Sequence, residues 1–438
     1  MSLPRYPEYK DSGVEWLGEV PGHWEVVPLY GTVAERKESN KEMLEDNLLS
    51  LSYGRIVQKD ITSNDGLLPD SFETYQIVRP GDIVFRLTDL QNDKRSLRSA
   101  IVEEAGIITS AYLAVIPQRA SPSYMSYLFR SYDTTKVFYS MGGGLRQSMK
   151  FADLKRMPTV LPPPDEQTQI AVFLDHETAK IDALVTEQRR LVELLKEKRQ
   201  AVISHAVTRG LNPDAPLKPS GIEWLGDVPA HWKVVPLKFI AKVQTGVAKG
   251  KDISGRDTIQ VPYLRVANVQ DGYLDLDTIA EIEIPADDLP RYRLQKGDVL
   301  MNEGGDFDKL GRGHLWEGSI DPCIHQNHVF AVRPHRVSPV WLNAITGSQY
   351  AQYYFMTRSK QSTNLASISS TNLMELPVLL PPEEEQQAIL SFIADQTTRF
   401  DTLTAEAQRA IALLQERRTA LISAAVTGQI DVRDAVAV

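Results

Sequence analysis

Hydrophobic residues recur with helical spacing in two long segments, each of which follows a run of prolines. The apolar positions lie three, four or seven residues apart, and the prolines are Pro162–Pro164 and Pro381–Pro382. Acidic residues follow the prolines and basic residues lie toward the other end, which suits the helix dipole. The pattern predicts two helices of about 44 residues, each roughly 65 Å long. Their predicted apolar positions are Ile170, Leu174, Ile181, Leu184, Leu191, Leu195 and Val202, then Ile389, Ile393, Phe400, Leu403, Leu414 and Leu421.

A long helix with one apolar seam needs a partner, and a second such helix lies in the same chain. We therefore predict that the two helices form a coiled coil. In the alternative, each helix packs separately on its own domain. Elsewhere, short β-branched or aromatic runs are separated by Gly, Asp and Pro, which is typical of strands and turns. The expected fold class is α+β, with two mixed α/β globules separated by two long helices.

The chain contains an internal repeat. Ser12–Leu29 recurs as Ser220–Leu237, with 14 of 18 positions identical. Met157–Thr208 recurs as Leu376–Thr427, with 23 of 52 positions identical. Between these blocks the halves diverge, apart from short landmarks such as a Gly-Asp pair. The order of the blocks indicates a tandem duplication of about 210 residues, with a shared fold and different surfaces.

With 438 residues the chain is long enough for two or more domains. Its single cysteine, Cys323, excludes an internal disulfide and fits a reducing compartment. The first residues have no apolar signal sequence and no run of about 18 apolar residues occurs, so we expect a cytoplasmic protein. The expected divisions are a leader at 1–28, a globule at 29–157, a helix at 158–210, a linker with a second leader at 211–237, a second globule at 238–376, and a helix with a tail at 377–438.

The net charge of −9 argues against a nucleic-acid binder, because a surface that follows phosphates is usually basic. However, basic residues cluster at Arg86–Arg98, Met141–Arg156 and Thr245–Arg256, while acidic residues pool elsewhere. Basic patches within an acidic chain are therefore expected. The alternative is that these clusters are ordinary solvated surface.

Four motifs, in their order along nearly the whole chain, resemble the specificity (S) subunit of Type I restriction-modification enzymes. They are the leaders WLGEVPGHWEVVPL and WLGDVPAHWKVVPL, and the helix starts MPTVLPPPDEQTQI and LPVLLPPEEEQQAI. The resemblance implies that the two variable regions are target-recognition domains. It also implies that the helices form an antiparallel spacer setting the gap between half-sites, and that methyltransferase subunits dock on the repeated parts, with motor-nuclease subunits where these are present.

Two similar domains on an antiparallel helix pair would share an approximate two-fold axis, as duplex DNA does, so each should read one half-site. Because the domains differ in sequence, the expected target is bipartite and asymmetric. We expect a non-catalytic subunit without a cofactor that binds double-stranded DNA and two methyltransferase subunits. A self-contained restriction or methylation enzyme, and a coiled-coil adaptor that never touches DNA, are the competing hypotheses.

The catalytic and metal-binding motifs that the sequence suggests are absent or incomplete. The Asn/Asp-Pro-Pro-aromatic motif expected of an adenine methyltransferase does not occur. GVAKGKD from Gly246 lacks the phosphate-loop spacing, so a basic DNA-contact loop is favoured. Cys323, His325 and His328 could ligate zinc, although a local strand or DNA-contact role is preferred. Gly142–Gly144 are expected to form a turn.

Base recognition needs Arg or Lys for guanine and Asn or Gln for adenine, presented on loops. The candidates in the first globule are Arg86, Gln91, Asn92, Lys94, Arg95, Arg98, Arg146, Gln147 and Lys150. Those in the second are Lys249, Lys251, Asn268, Lys309, Arg312, Lys360, Gln361 and Asn364. Each could instead be an exposed polar residue without a contact. The tryptophans at identical spacing in both leaders, Trp16, Trp24, Trp224 and Trp232, are expected to pack at the junction of globule and helix.

Overall fold

A computed structural model describes residues 3–62, 69, 71–88, 97–141, 149–250, 253–307, 310–361 and 365–435. The chain divides into two compact units. Unit 1 comprises Met1–Arg189 with Gln408–Val438, and unit 2 comprises Arg190–Ala407. Within the described ranges, no helix combines the length and the apolarity that a membrane crossing requires.

Unit 1 is built around an antiparallel four-stranded sheet with the strand order β4-β11-β8-β9. Helix α1 packs on this sheet, and its Leu128 and Phe129 share a buried core with Phe85 of β8 and Val115 of β11. The strands of unit 1 are β1 Tyr9–Asp11, β2 Glu19–Pro21, β3 Glu25–Pro28, β4 Val33–Glu35, β5 Leu49–Ser52, β6 Arg55–Gln58, β7 Gln76–Val78, β8 Ile83–Phe85, β9 Ser99–Ile101, β10 Gly106–Ile108, β11 Leu113–Pro117 and β12 Pro158–Leu161. Its helices are α1 Pro122–Thr134, α2 Val137–Met141, α3 Phe151–Leu154 and the first part of α4 Pro164–Arg209.

Unit 2 has an equivalent sheet with the order β16-β23-β19-β21, together with the three-stranded sheets β18-β17-β22 and β20-β25-β24. Its strands are β13 Leu217–Pro219, β14 Asp227–Pro229, β15 Lys233–Pro236, β16 Ala241–Thr245, β17 Thr258–Leu264, β18 Ala280–Pro285, β19 Val299–Asn302, β20 Gly304–Gly305, β21 Gly313–Leu315, β22 Ile324–His325, β23 Val329–Pro334, β24 Lys360–Gln361, β25 Ala366–Ser367 and β26 Pro377–Leu380. Its helices are α5 Leu289–Tyr292, α6 Pro339–Thr346, α7 Gln349–Arg358, α8 Ser370–Met374 and the first part of α9 Glu383–Val426. The expected α+β class is confirmed.

The Gly-Asp landmark of the repeat is a structural turn in both units. Gly81 and Gly297 have φ angles of +90° and +97°, which favour glycine. Asp82 Oδ2 accepts hydrogen bonds from Arg79 N at 2.8 Å and from Arg36 Nε at 2.9 Å. The equivalent Asp298 is also buried and paired with an arginine. A buried carboxylate needs such partners, which explains why the pair persists where the surrounding sequence diverges.

The long helices start where the prolines place them, but the predicted apolar seam is partly wrong. Leu184 and Leu403 are about half exposed, at 51% and 47%, and Leu191 is 42% exposed. In unit 1 the seam of α4 instead runs through Leu174, Thr178, Ile181 and Val185, and in unit 2 it continues at Val192, Leu195, Val202 and Ala206. These steps of three, four and seven are a heptad pattern. Leu184 and Leu191 lie beside it on α4, because a helical period alone does not distinguish neighbouring positions.

The two helices pair antiparallel within each unit. In unit 1, Arg418 of α9 donates hydrogen bonds to both carboxylate oxygens of Asp182 on α4, at 2.9 and 3.2 Å. In unit 2, Arg199 Nη2 of α4 lies 3.7 Å from Asp401 Oδ2 of α9. The repeat aligns Asp182 with Asp401 and Arg199 with Arg418, so both units contain the same ion pair with its helices exchanged.

One tryptophan of each leader anchors the start of a long helix, as expected from its packing role. Trp24 is fully buried, and its Nε1 donates to Glu166 on the first turn of α4 at 2.8 Å. Trp232 is buried in the same way and donates to Glu385 on the first turn of α9 at 3.1 Å. The other pair is partly exposed, with Trp16 edge-on to Tyr132 and Trp224 stacked on Tyr350.

Candidate nucleic-acid interface

The strand directions of unit 1 bring several loops to one edge of its four-stranded sheet. Phe85 at the end of β8 pairs with Ser99 at the start of β9 and with Leu113 at the start of β11. The segments that follow β8 and precede β9 therefore leave the sheet at the same edge. Met149 N donates to Leu87 O at 3.0 Å, which brings the chain before α3 to the same edge. The described ends of the two basic clusters, Arg86–Arg98 and Met141–Arg156, therefore lie close together at this edge.

The described candidates of unit 1 differ in their exposure at this edge. Lys150 is exposed at the start of α3, and Arg86 is half-buried directly after β8. Arg98 is fully buried, and its side chain donates to Thr88 O at 3.1 Å and to Tyr139 Oη at 3.3 Å. In this conformation the Arg98 guanidinium supports the loop and does not reach the surface. Six candidates lie outside the described residues, namely Gln91, Asn92, Lys94, Arg95, Arg146 and Gln147.

Unit 2 forms the equivalent edge with the same register. Strands β16 and β19 end there, and β21 and β23 begin there, because Thr245 pairs with Phe330, Asn302 with Val329 and Met301 with Gly313. The backbone continues the ladder beyond the strands. Glu303 N donates to His328 O, and Ile368 N donates to Glu303 O, both at 2.9 Å.

The described candidates of unit 2 fall into two groups. Lys360 and Gln361 on β24 and Lys249 after β16 are exposed, and Arg312 before β21 is half-buried. The strand β25 joins β24 to β20, so Lys360 and Gln361 lie on the sheet that extends from the end of β19. Asn268 is buried, and its Nδ2 donates to Asp275 O and to Thr278 O, each at 2.9 Å. The Asn268 amide is thus a structural clamp. Three candidates lie outside the described residues, namely Lys251, Lys309 and Asn364.

Gly246, the first residue of the GVAKGKD segment, is required by close backbone packing. A Cβ atom at this position would lie 2.0 Å from His325 O, so no side chain fits. Val247 N donates to His325 O at 2.9 Å, which holds the start of the loop against β22. The glycine therefore allows the approach of two chain segments, and Lys249 is displayed three residues later.

The three residues that could ligate zinc, Cys323, His325 and His328, lie in different environments. Cys323 is buried, and burial raises the pKa of its thiol to about 12. His325 is also buried, its Nδ1 donates to Val329 O at 2.8 Å, and burial lowers its pKa to about 4. His328 is exposed and contacts Glu303. Among the side chains that the structure describes, no group of three or more His, Cys, Asp or Glu residues is arranged to hold a metal ion.

Comparisons with known proteins agree with this organisation. The model of the family described as Type I restriction modification DNA specificity domain matches residues 229–412. The EcoKI specificity subunit of Escherichia coli K12 is 23% identical over 437 residues, covering 94% of this chain and 90% of that protein. The MjaVIII specificity subunit of Methanocaldococcus jannaschii is 23% identical, with 95% of each chain covered. The putative MjaX specificity subunit of the same organism is 26% identical over 201 residues, which cover 46% of that protein.

Among solved structures, a chain from a study of complex assembly and conformational transition of the type I R-M system superposes with a TM-score of 0.62. It is 19% identical, and the match covers 93% of this chain and 98% of that chain, which shows a common fold. In sequence and in fold this chain is thus similar to Type I specificity subunits. The resemblance seen in the leaders and helix starts is therefore confirmed.

The matched specificity domain contains the whole sheet edge of unit 2, from Lys249 to Gln361. Residues 1–189 of unit 1 lie outside the matched range, but they repeat the four-stranded sheet and the same edge. The sequence could not indicate that Glu303 belongs to this edge, because its neighbours there are 25 and 65 residues away along the chain. The pairing of β19 with β23 places Glu303 beside His328, and the sequence does not specify this register.

Proposed function

We propose that this chain reads an asymmetric, bipartite DNA sequence, with one half-site for each unit, and directs adenine methylation by partner subunits without a catalytic centre of its own. The observation that carries the proposal is the duplication of one sheet edge. Both units present loops of different sequence from the same strand register, and each unit contains one part of α4 and one part of α9. A common scaffold with different loops suits two readers of different half-sites.

The exposed cations suit contacts with the phosphate backbone, and the polar loop residues suit contacts with base edges. Lys150 in unit 1, and Lys249 and Lys360 in unit 2, are exposed at the two edges. Gln361 beside Lys360 has the amide that can pair with adenine. Arg86 and Arg312, at the same edges, and the candidates outside the described residues complete the proposed contact set.

The duplication also supports two methyltransferase partners for each chain, one on each half. Native mass spectrometry of the co-expressed complex should give two methyltransferase subunits for one copy of this chain. A stable complex with one methyltransferase and no second site would contradict this stoichiometry.

The test of the proposed function is an exchange of one unit's variable region. Residues 29–157 are replaced by the equivalent region of another Type I specificity subunit, and the methylome of the host is sequenced. We expect one half of the methylated motif to change and the other half to stay. The reciprocal exchange of residues 238–376 is the matched control, and it should change the other half. A change in both halves after either exchange would refute independent reading.

A further inference from the structure

A solvent-exposed polar relay lies at the sheet edge of unit 2. His328 Nδ1 lies 2.9 Å from Glu303 Oε2, and Asn327 Nδ2 lies 3.3 Å from His328 Nε2. A histidine protonated on Nδ1 alone satisfies both contacts, since it donates to the carboxylate and accepts from the amide. The relay therefore joins three consecutive hydrogen-bonding groups whose directions are fixed.

The backbone holds the members of this relay in place. Asn327 N donates to Val247 O at 3.1 Å, and Glu303 N donates to His328 O at 2.9 Å. Both segments are continuations of paired strands, β23 and β19. The side chains thus project from a rigid sheet edge, which is the support that a reader of base edges requires.

The relay contributes little to the stability of the fold, because His328 is largely exposed and hydrogen bonds between exposed side chains replace hydrogen bonds to water. Several hydrogen-bonding atoms of the relay nevertheless remain available to a ligand. Glu303 Oε1 receives no hydrogen bond from the described part of the chain. Asn327 Oδ1 and the second Nδ2 hydrogen are likewise not engaged by described residues. In the major groove a carboxylate oxygen can accept from the N4 amine of cytosine, and an Asn amide can accept from N6 and donate to N7 of adenine.

The equivalent positions of unit 1 lack every member of the relay. Ile83 pairs with Val115 in unit 1 as Val299 pairs with Val332 in unit 2. Counting outward from these pairs, Leu87 stands in the place of Glu303, and Ala111 and Ser110 stand in the places of His328 and Asn327. The scaffold is thus repeated while this cluster is not, as expected for a determinant that distinguishes two half-sites.

Exposed cations flank the relay. Lys249 lies two residues beyond Val247, and Lys360 lies on the sheet that extends from Gly304. Cations on both sides can hold the phosphate backbone while the relay faces a base. We propose that Glu303, oriented by His328 and accompanied by Asn327, reads a base with an exocyclic amino group in the half-site of unit 2, with Glu303 accepting from the N4 amine of a cytosine.

This inference rests on the proposed function, and its test is a set of variants in the complete complex with its methyltransferase. Methylome sequencing compares the wild type with Glu303→Gln, His328→Ala and Asn327→Ser. The matched control is Glu317→Gln, an exposed glutamate beyond the opposite end of β21. For Glu303→Gln we expect discrimination at one position of the second half-site to fall about ten-fold or more, while the first half-site stays intact. His328 is a positioning residue, so His328→Ala should relax the same position more weakly.

The outcomes separate the inference from the proposed function. A wild-type complex without a bipartite motif would refute the proposed function before any variant is compared. A wild-type bipartite motif that Glu303→Gln leaves unchanged, or weakens uniformly at all sites, would overturn the assignment of the relay. If Glu303→Gln prevents assembly of the complex, the exposed substitutions His328→Gln and Asn327→Ser provide the same comparison, and an unaltered motif in both would also overturn it.

Discussion

The position of the helical seam gives a prediction that separates the observed packing from the sequence pattern. Val185 is 7% exposed and Leu184 is 51% exposed, although the sequence pattern favours Leu184 as the seam residue. Val185→Glu removes about 1.6 kcal/mol of apolar transfer free energy and places a carboxylate against an apolar surface. We therefore expect it to lower the free energy of unfolding by about 3 kcal/mol or more. Leu184→Glu leaves the new charge in water and should cost about 1 kcal/mol or less.

The assay is urea unfolding followed by circular dichroism at 222 nm, which reports the loss of helix. With a dependence on urea of about 1 to 3 kcal/mol per molar, Val185→Glu should lower the midpoint by about 1 M or more. Ala183→Glu, at an exposed neighbouring position, controls for the added charge. A larger loss for Leu184→Glu than for Val185→Glu would refute the heptad assignment.

Three further predictions concern buried or paired ionisable groups. Burial lowers the pKa of His325 to about 4, so the unfolded chain takes up a proton first as pH falls below about 6.5. His325 should then lower the free energy of unfolding of unit 2 by up to about 3 kcal/mol between pH 6.5 and 4, and His325→Asn should remove this contribution and make the slope shallower in urea titrations at each pH. Glu166 is buried and accepts hydrogen bonds from three side chains, whereas Glu385 is partly exposed and accepts from two. In calorimetry, Glu166→Gln should therefore lower the free energy of unfolding by about 2 to 3 kcal/mol, and Glu385→Gln by about 1 kcal/mol. A double-mutant cycle of Asp182→Asn and Arg418→Gln should give a coupling of about 0.5 to 1 kcal/mol that disappears in 1 M salt, and a salt-independent coupling would contradict a partly exposed pair.

Much of the fold could be predicted because its signals are local. The prolines before α4 and α9 fix where the helices start, since proline fits the first turn of a helix and not its interior. The repeated leaders identify Trp24 and Trp232 as equivalent, and both are buried against the long helices. The sequence pattern does not fix which residues form the seam, because Leu184 and Val185 are adjacent and both fit a helical period. Contacts with the second helix, which the sequence does not specify, decide between them.

The candidate site was less predictable, because it depends on contacts between distant segments. Arg98 resembles a surface arginine in the sequence, yet Tyr139 and Thr88 O take up its guanidinium. Asn268 resembles a base reader, yet backbone carbonyls occupy its amide. No sequence motif marks Glu303, since its contact with His328 exists only once β19 and β23 pair. Residue type and loop position therefore indicate where to search but not which side chains reach the surface.

Comparison of the two units within one chain separates structural from recognition residues on physical grounds. Asp82 and Asp298 both bind an arginine, but Arg36 follows β4 whereas Arg333 belongs to β23. The buried carboxylate is retained and its partner comes from another strand, because an unpaired buried charge would be costly and any nearby arginine can remove that cost. At the sheet edge the two units differ, because Leu87 of unit 1 is buried whereas Glu303 of unit 2 is partly exposed and contacts His328. The Glu303 carboxylate therefore does not carry the cost of an unpaired buried charge. Differences at equal register in which a polar side chain reaches solvent are therefore the ones that recognition of a target sequence can use, and they define the substitutions worth exchanging between the two units.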